Sequence, residues 1–436
     1  MTAKGTPMGH LVFVETSGSG VNAMSYAKRT GHRVSYLYSD RYDFTATPGQ
    51  RSHARRLADD AIEIDPDADA DELLVALRGA DVRTEGVDAV LTTLAFCVSR
   101  AAGLAELIGS RGTSAAAVET ARDKARFRQA LREAGVPSLR FAIARNEAEA
   151  LTAADSIGYP VIVKPVLGVA KAATVVARTS DDVRRHFGAL AEQLDTLPVG
   201  MSTQFDGRFI VEQLAVGELY SVEVATDGRV WTPLTTTRQK TGAEDPVLEL
   251  GCTAPAGLDA RLEQEMGAYA VQVCRAVGLD LGIFHCEMIR TAEGFRATEV
   301  NPRIAGGALP ETINAVADDD MFGILVDLYL GRPAPARPLR LNGAASHSVL
   351  GARSGGTVRP DLAPDWFKTH LDGLHSGWVQ AVPGRRLPVM RGNFDRFGVI
   401  RVVAGDPATA RDRCAAVKAD IGRELGITLA AAGGEV

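Results

Sequence analysis

The segment FHCEMIRTAEGFRATEVNPRIAGG, residues 284–307, constrains the fold of this chain more than any other stretch. Two mostly apolar strands flank the turn letters AEG, and a three-residue loop that ends on Gly294 in the left-handed region is a favoured hairpin connection. Such a loop places Glu287 directly opposite Glu299. Two facing carboxylates repel each other unless a cation lies between them, so the pattern predicts a cation-binding hairpin.

The neighbours of the two carboxylates add to a set of oxygen ligands. In the same register His285 faces Asn301, and because side chains alternate across a strand, both lie on the face of Glu287 and Glu299. Two carboxylates and an amide oxygen suit Mg²⁺, which also keeps positions for water and phosphate. Arg303 follows, where its planar guanidinium can hold a phosphate or a carboxylate. His285 fits a satisfied core histidine as well as a substrate contact.

Two lysines upstream indicate a site for phosphate. Lys164 lies within the apolar strand YPVIVKPV, where an unpaired charge would be costly, so an anion should meet it. The loop that follows, VLGVAKAAT, carries Gly168 and Lys171 and can fold over phosphates, because small residues permit a close approach of the backbone. Lys124, in RDKARFRQAL, would pass as a solvated helix residue if it stood alone.

The stretch FIVEQLAVGELYSVEV contains acids that can hold a nucleotide. Glu212 ends an apolar strand and Glu218 follows a glycine turn, and both carboxylates can accept hydrogen bonds from a base amine or from sugar hydroxyls. An ordinary edge hairpin explains this stretch equally well. Glu249, in PVLELGCTAPAGL, is similarly ambiguous.

A glycine cluster near the N-terminus favours a rival function. Gly18, Gly20 and Ala23 match the GxGxxG/A fingerprint of dinucleotide-binding folds, they follow a strand, and Asp40 stands where an acid would bind the ribose. An NAD(P)-dependent oxidoreductase is therefore an alternative. We prefer a tight strand-to-helix turn that binds nothing, because better ATP chemistry lies downstream. No GxxxxGK[ST] motif occurs, which excludes a P-loop NTPase.

The order of strand and helix patterns predicts several domains. Buried strands alternate with helices up to residue 120, which indicates a parallel sheet covered by helices. A helix capped by Asp123 and stopped at Gly135 comes next. The Pro- and Gly-rich stretch 331–339 is the best linker, ahead of a small α+β domain. The predicted division is 1–120, 121–205, 206–335 and 340–436.

Bulk composition excludes several classes of function. The chain has 436 residues, 46% hydrophobic and 23% charged, as expected of a globular protein of two to four domains. A net charge of -6 without a basic run gives no reason to expect nucleic acid as a partner. The sequence shows neither a long apolar run nor a signal peptide, which argues against a membrane span and secretion. Five cysteines without a CxxC pair indicate buried free thiols in a reducing cytoplasm.

The order of these motifs resembles that of the ATP-grasp superfamily over most of the chain. The matching parts are the RDK helix, the VIVKP strand, VEQ followed by GE, and the E…EVNPR hairpin. The resemblance implies an ATP-grasp fold, α/β and α+β multidomain, with an N-terminal Rossmann-like pre-ATP-grasp domain and a small C-terminal α+β domain. Within the superfamily, PVLELGCTAPAGL and FHCEMI…EVNPRIAGG resemble the L-amino-acid ligases, which make dipeptides. The phosphate loop departs from the family, because alanines replace its usual serines and second glycine.

The resemblance also implies a role for each matched residue. The nucleotide set, with lysines on the phosphates, three residues on the adenine edge and one acid on the ribose, is Lys124, Lys164, Gly168, Lys171, Glu212, Gln213, Leu214 and Glu218. The metal set is Glu287, Glu299 and Asn301. The set beside the substrates is Glu249, His285, Arg303, Gly306 and Gly307. The residues implied in catalysis are Arg303, Lys164 and His285.

The implied reaction forms an amide between a small-molecule carboxylate and a small-molecule amine, two amino acids in the case of the L-amino-acid ligases. ATP phosphorylates the carboxylate, the amine attacks the acyl phosphate, and ADP and phosphate are released, with Mg²⁺ or in its place Mn²⁺ as the metal. Carboxylation and a purine-pathway step remain alternatives within the superfamily. The resemblance implies no nucleic-acid or membrane partner, and it leaves a homodimer open.

Overall fold

The computed structural model describes residues 8–168, 172–245, 248–393 and 395–433. Within these ranges the strands form three larger sheets and one small one, and helices pack between and around them. The helices are α1 (Gly20–Arg29), α2 (Pro48–Leu57), α3 (Ala70–Gly79), α4 (Val98–Ile108), α5 (Ala115–Arg122), α6 (Lys124–Glu133), α7 (Glu147–Ile157), α8 (Ser180–Asp195), α9 (Val199–Ser202), α10 (Ala260–Ala276), α11 (Leu309–Asn314), α12 (Met321–Tyr329), α13 (Lys368–Leu371) and α14 (Pro407–Leu425).

The N-terminal sheet is parallel, as the alternation of strands and helices predicts. Its strands are β1 (His10–Val14), β2 (Arg33–Tyr38), β3 (Asp60–Glu63) and β4 (Ala89–Leu91). They run in the order β3-β2-β1-β4. Every residue of β1 is buried, because helices cover a parallel sheet on both faces.

The second sheet is antiparallel and follows α6. Its strands are β5 (Phe141–Ala144), β6 (Val161–Pro165), β7 (Val175–Ala177) and β8 (Phe209–Gln213), in the order β5-β8-β6-β7. Strand β8 pairs with both β5 and β6. A boundary at residue 205 would cut β8 from its hydrogen-bonded neighbours, so we propose that this lid subdomain extends through Gln213.

The third sheet is the largest and joins two segments that the sequence division separates. Its strands are β9 (Glu218–Thr226), β10 (Trp231–Thr241), β11 (Glu249–Ala254), β12 (Gly282–Thr291), β13 (Gly294–Asn301), β14 (Ala344–Leu350), β16 (Ser376–Val379) and β18 (Gly398–Ala404). Their order is β13-β12-β9-β10-β11-β14-β18-β16, while β15 (Gly356–Thr357) and β17 (Arg386–Leu387) form a small separate pair. The segment after residue 340 has its own apolar core, yet its strands extend this sheet.

The stretch 331–339 is packed rather than a free linker. Ala334 is buried in the same apolar core as helices α1 and α12. The Leu339 amide donates to the Leu234 carbonyl at 2.8 Å, and Thr232 donates to the Pro335 carbonyl. The prolines keep this stretch extended. Hydrogen bonds to strand β10 satisfy the Leu339 amide and the Pro335 carbonyl.

Two smaller expectations concern the thiols and the membrane. All five cysteines are buried and unpaired, which confirms the expected free thiols. Among the described residues, no helix combines the length and the apolarity that crossing a membrane requires.

A buried acid at the end of β1 makes stability depend on pH. Glu15 follows this strand, is 3% exposed, and accepts a hydrogen bond from Ser39 Oγ at 2.5 Å. Burial raises the pKa of Glu15 from 4.5 to about 7, against the opposing effects of Ser39 and Arg100. Between these two values the folded state binds the proton and the unfolded state does not, so stability should fall as pH rises through this window.

We therefore expect Glu15→Gln, which cannot ionise, to be more stable than the parent at pH 8. The difference in the free energy of unfolding should grow by about 2 kcal/mol between pH 5 and pH 8. Denaturant unfolding at the two pH values measures it. Glu63→Gln, at an exposed acid in β3, is the control and should show no such growth. An equal difference at both pH values for Glu15→Gln would contradict the assignment.

Candidate active site

One large cavity brings the predicted site residues together. It encloses about 1300 Å³ and is lined by loops of the parallel sheet and by strands of the other two sheets. A drug-sized ligand takes ~300–1,000 Å³, so this cavity has room for more than one ligand. The sequence-predicted residues that line it are Lys124, Lys164, Gly168, Glu212, Gln213, Leu214, Glu249, His285, Glu287, Glu299, Asn301, Arg303, Gly306 and Gly307.

Among the described residues, one predicted site residue is not part of this lining. Glu218 does not line the cavity and instead pairs with Arg238 at 2.5 Å and accepts from the Tyr220 hydroxyl at 2.5 Å. These contacts argue against a role for Glu218 on the ribose. Lys171 lies outside the described residues.

The helix that begins after Asp123 delivers one lysine to the cavity. The Asp123 carboxylate caps α6 by accepting from the Arg126 amide, as predicted, and Lys124 is the first helical residue. Lys124 Nζ donates to the Gly168 carbonyl at 3.0 Å, which ties the helix to the start of the phosphate loop. Burial lowers the pKa of Lys124, against the opposing influence of nearby Glu299.

The second lysine already has an anionic partner within the protein. Lys164 Nζ lies 2.7 Å from one carboxylate oxygen of Glu212, and Arg128 Nε lies 2.5 Å from the other. Burial opposes ionisation of Glu212, but the two cations lower its pKa to about 2. Both oxygens are thus engaged, which argues against Glu212 as an acceptor for the adenine amine. Gln213 and Leu214 remain on the cavity wall for that edge.

The hairpin has the predicted pairing but reaches it by a different path. Glu287 lies opposite Glu299 and His285 opposite Asn301. The turn, however, has two residues rather than three, because Thr291 pairs with Gly294. A bulge at Thr298 restores the register. Because the bulge adds one residue to β13, Ala297 faces the apolar core whereas Glu299, two residues later, lines the cavity.

The two carboxylates and the amide are side chains of the kind that bind a divalent cation. Among the described residues no group of three or more His, Cys, Asp or Glu side chains is arranged to hold a metal. We propose that a metal here would instead be bound by two carboxylates and an amide, those of Glu287, Glu299 and Asn301, with water and phosphate oxygens completing the shell, as Mg²⁺ prefers. Asn301 Nδ2 donates to Glu299 Oε1 at 3.0 Å, and this orients the amide and the acid together.

His285 is a charged bridge between two acids. Its Nδ1 lies 2.5 Å from Glu223 Oε1, and its Nε2 lies 3.1 Å from Glu287 Oε1. Burial alone would lower the pKa of His285, but the two carboxylates outweigh it and raise the pKa to about 10. The imidazolium therefore orients Glu287 and offsets part of the negative charge around the hairpin.

Arg303 faces the same acidic group from the end of β13. Its Nη2 donates to Asn301 Oδ1 at 3.2 Å and its Nη1 donates to the Ile304 carbonyl at 2.7 Å. Burial lowers the pKa of Arg303, and Glu299 is the largest of the carboxylates that oppose this. Gly306 lies beside the guanidinium, since a Cβ there would be 3.6 Å from Nη1. Gly307 has a φ of +62°, which favours glycine.

Comparison with known proteins identifies one domain of the chain. A family model described as an ATP-grasp domain matches residues 157–311, which contain both the lysine strand and the acidic hairpin. The chain carries an ATP-grasp domain. This confirms the resemblance that the motifs predict.

Individual proteins are similar to this chain over longer stretches. Alanine–anticapsin ligase of Bacillus amyloliquefaciens is 25% identical over 268 residues, or 57% of this chain and 55% of that protein. The solved L-amino acid ligase of Bacillus licheniformis has a TM-score of 0.76 at 16% identity, over 94% of this chain and 97% of that one. Biotin carboxylase of Campylobacter jejuni has a TM-score of 0.67 at 17% identity, over 97% and 93%. The fold is thus the ATP-grasp fold, as predicted, although the chain spans only 32% to 60% of the length of four curated relatives.

Two buried charged residues next to the candidate site are not among those predicted from the sequence. Arg128 is fully buried and donates to the Ala297 carbonyl at 2.6 Å and the Thr298 carbonyl at 3.1 Å, besides pairing with Glu212. It therefore holds the bulge that presents the hairpin acids. Glu223 is also fully buried, and its second oxygen accepts from the Ala305 amide at 3.2 Å.

The signals for both residues were present in the pattern. Lys124 and Arg128 are four residues apart and so share one helix face. Glu223 stands inside an apolar strand, as Lys164 does, and the same cost of an unpaired charge applies to it.

The glycine turn that favours a dinucleotide has a packing explanation. A Cβ on Gly20 would lie 1.9 Å from Thr93 Oγ1 and 2.2 Å from Thr16 Oγ1. Asp40 is exposed and does not line the cavity, so the ribose-binding acid of the fingerprint is not in place. The strand-to-helix turn requires the small residue whether or not it binds a ligand.

Gly20→Ala should accordingly destabilise the protein by about 1–3 kcal/mol, the usual cost of overpacking. Gly18→Ala is the matched control, because its Cβ would meet only the flexible end of Gln50 at 2.9 Å. Thermal unfolding compares the two variants.

Asp40→Ala, measured alongside, should leave ATP affinity unchanged. Equal stability of the two glycine variants, or NADH binding that Asp40→Ala abolishes, would revive the dinucleotide interpretation.

Proposed function

We propose that the chain is an ATP-dependent ligase that joins a carboxylate to an amine, with amino acids as the substrates. The observation that carries the proposal is the meeting, in one cavity, of two buried lysines with the acidic hairpin and its arginine. The ATP-grasp domain supports use of ATP. The names of alanine–anticapsin ligase and of the L-amino acid ligase support amino-acid substrates.

The nucleotide would lie along the lid sheet. Lys124 and Lys164 line the cavity and would hold the phosphates. Gln213 and Leu214, also on the cavity wall, would hold the adenine edge. A phosphate that approaches Lys164 competes with the Glu212 carboxylate, which stays anionic because Arg128 still pairs with it. Lys164 therefore has an anionic partner whether or not ATP is bound.

A divalent cation at Glu287, Glu299 and Asn301 would neutralise phosphate charge and align the phosphate oxygens. His285 orients Glu287 through a hydrogen bond, and Glu223 holds His285 in turn. Two expectations from the sequence remain predictions, namely substitution of Mn²⁺ for Mg²⁺ and association of two copies of the chain.

The chemistry converts a poor acyl donor into a good one. A carboxylate oxygen attacks the γ-phosphorus, the bond to the β-phosphate oxygen breaks, and ADP leaves with that electron pair. The amine nitrogen then attacks the carbonyl carbon of the acyl phosphate. The C–O bond breaks, phosphate leaves, and the nitrogen loses a proton. Arg303 and Lys164 stabilise the negative charge that develops on the oxygens in both steps.

The test is a screen of amino-acid pairs with ATP and Mg²⁺, followed by product analysis. We expect phosphate release that depends on both substrates and a product whose mass equals their sum less one water. The structural likeness to biotin carboxylase defines the rival outcome. Phosphate release that bicarbonate alone stimulates, with no amide formed from any pair, would replace ligation by carboxylation.

A further inference from the structure

Arg396 is a cation of the cavity wall that the proposed chemistry does not use. It precedes β18 and lines the cavity. Among the described residues, its guanidinium makes one hydrogen bond, from Nη1 to the Asn393 carbonyl at 3.1 Å. An arginine carries five N–H donors, so most of them lack a protein acceptor within the described ranges.

The other cavity arginines differ in this respect. Arg401 donates to Thr312 Oγ1 at 3.0 Å and to Ser376 Oγ at 2.7 Å, and Arg303 lies among acids. For Arg396 no ion pair with a described carboxylate exists, and burial alone lowers its pKa, without a contribution from other charges. The Arg396 side chain is partly exposed on the cavity wall, and a bound anion would supply the counter-charge that its guanidinium lacks among the described residues.

The sheet beside Arg396 presents an apolar row to the same cavity. Val349 of β14 pairs with Val399 of β18, and Val399 pairs in turn with Trp378 of β16. Directly opposite side chains share a face, and all three line the cavity. Trp378 is 40% exposed although it lies on this wall. The wall thus offers a fork of N–H donors next to an apolar surface.

We propose that Arg396 binds the carboxylate of the amine substrate, which is an α-amino acid whose apolar side chain lies over Val349, Val399 and Trp378. The inference rests on the proposed ligase function and names the class of its nucleophile. A planar guanidinium matches a carboxylate with two parallel hydrogen bonds. The carboxylate that reacts must instead meet Arg303 and Lys164. Neither of these two cations contributes to the lowered pKa of Arg396.

The first test compares amine substrates on the parent enzyme. The probes are the twenty L-amino acids and their carboxamides, each with ATP, Mg²⁺ and the best carboxylate partner. We expect apolar L-amino acids to be used and their amides to react about 10- to 100-fold less efficiently, because a hydrogen-bonded charge pair is lost. Equal use of acid and amide would overturn the proposal while leaving the ligase function intact.

The second test changes the arginine. Arg396→Gln should raise the KM for the amino-acid nucleophile about 10- to 100-fold, remove the preference over the amide, and leave the KM for ATP unchanged. Arg396→Lys, which keeps the charge without the fork, should fall between the two. Arg391→Gln, at an exposed arginine of the same segment, is the matched control and should behave as the parent. A KM within threefold of the parent in Arg396→Gln would overturn the proposal.

A binding readout separates this inference from the ligase function. If the parent forms no amide from any pair, the ligase function fails. Thermal shifts with the same amino acids and amides, in the presence of ADP and Mg²⁺, then test Arg396 directly. Stabilisation by apolar amino acids but not by their amides, lost in Arg396→Gln, supports the carboxylate site. Stabilisation by neither, or equally by both, contradicts it.

Discussion

Arg303→Lys is expected to lower kcat by about 10²–10³ while the KM for ATP moves little. The guanidinium is partly buried beside Asn301 and Gly306, at the end of the acidic hairpin, and its planar fork can hold two oxygens of an acyl phosphate. Removing one donor that acts mainly in the transition state costs about 10²–10³ in kcat elsewhere, and kcat and kcat/KM then fall together. Steady-state kinetics with a working substrate pair measures the effect.

The control is an arginine of the same hairpin. Arg296 pairs with Glu293 at 3.1 Å near the turn and does not line the cavity, so Arg296→Lys should keep nearly full activity. If Arg303→Lys also stayed within threefold of the parent, Arg303 would be a structural arginine rather than a catalytic residue.

Glu299→Gln and Glu287→Gln should each reduce turnover by about 10²-fold or more at limiting Mg²⁺. Each substitution keeps the shape of the side chain and removes one of the two charges that would hold the metal, and metal stabilisation of phosphate charge is worth several kcal/mol. The apparent KM for Mg²⁺ should rise in both variants, which a merely structural role would not produce. Initial rates over a Mg²⁺ titration provide the measurement.

Glu293→Gln, at the exposed turn of the hairpin, is the matched control for these two variants and should titrate with Mg²⁺ like the parent. Circular dichroism separates lost catalysis from lost folding, since removal of either acid leaves Arg128 and the bulge in place. Near-normal rates for both variants at low Mg²⁺ would show that the hairpin does not hold the metal.

The hairpin shows how far sequence reasoning reaches. Apolar alternation and a glycine turn were enough to pair Glu287 with Glu299, because one face of each strand had to be buried. The two-residue turn and the compensating bulge at Thr298 could not be derived, since a three-residue loop gives the same pairing. The distinction depends on Arg128, a contact from a helix about 170 residues earlier in the chain.

Charged residues were harder to place than apolar ones. The sequence indicated that Lys164 needed an anion, and a phosphate was the natural choice, whereas the structure supplies Glu212. Which charges pair across separate elements depends on tertiary packing that strand patterns do not encode. Domain limits are hard to place for a similar reason, because β8 and the strand after residue 340 pair with partners distant in sequence.

The most direct test of the central claim follows an oxygen atom. The carboxylate substrate is labelled with ¹⁸O, the reaction is run with ATP, Mg²⁺ and the amine, and the released phosphate and nucleotide are analysed by mass spectrometry. An acyl-phosphate route transfers one carboxylate oxygen to inorganic phosphate and leaves unlabelled ADP. Label in AMP with release of pyrophosphate, or phosphate without label, would contradict the proposed ligation through an acyl phosphate.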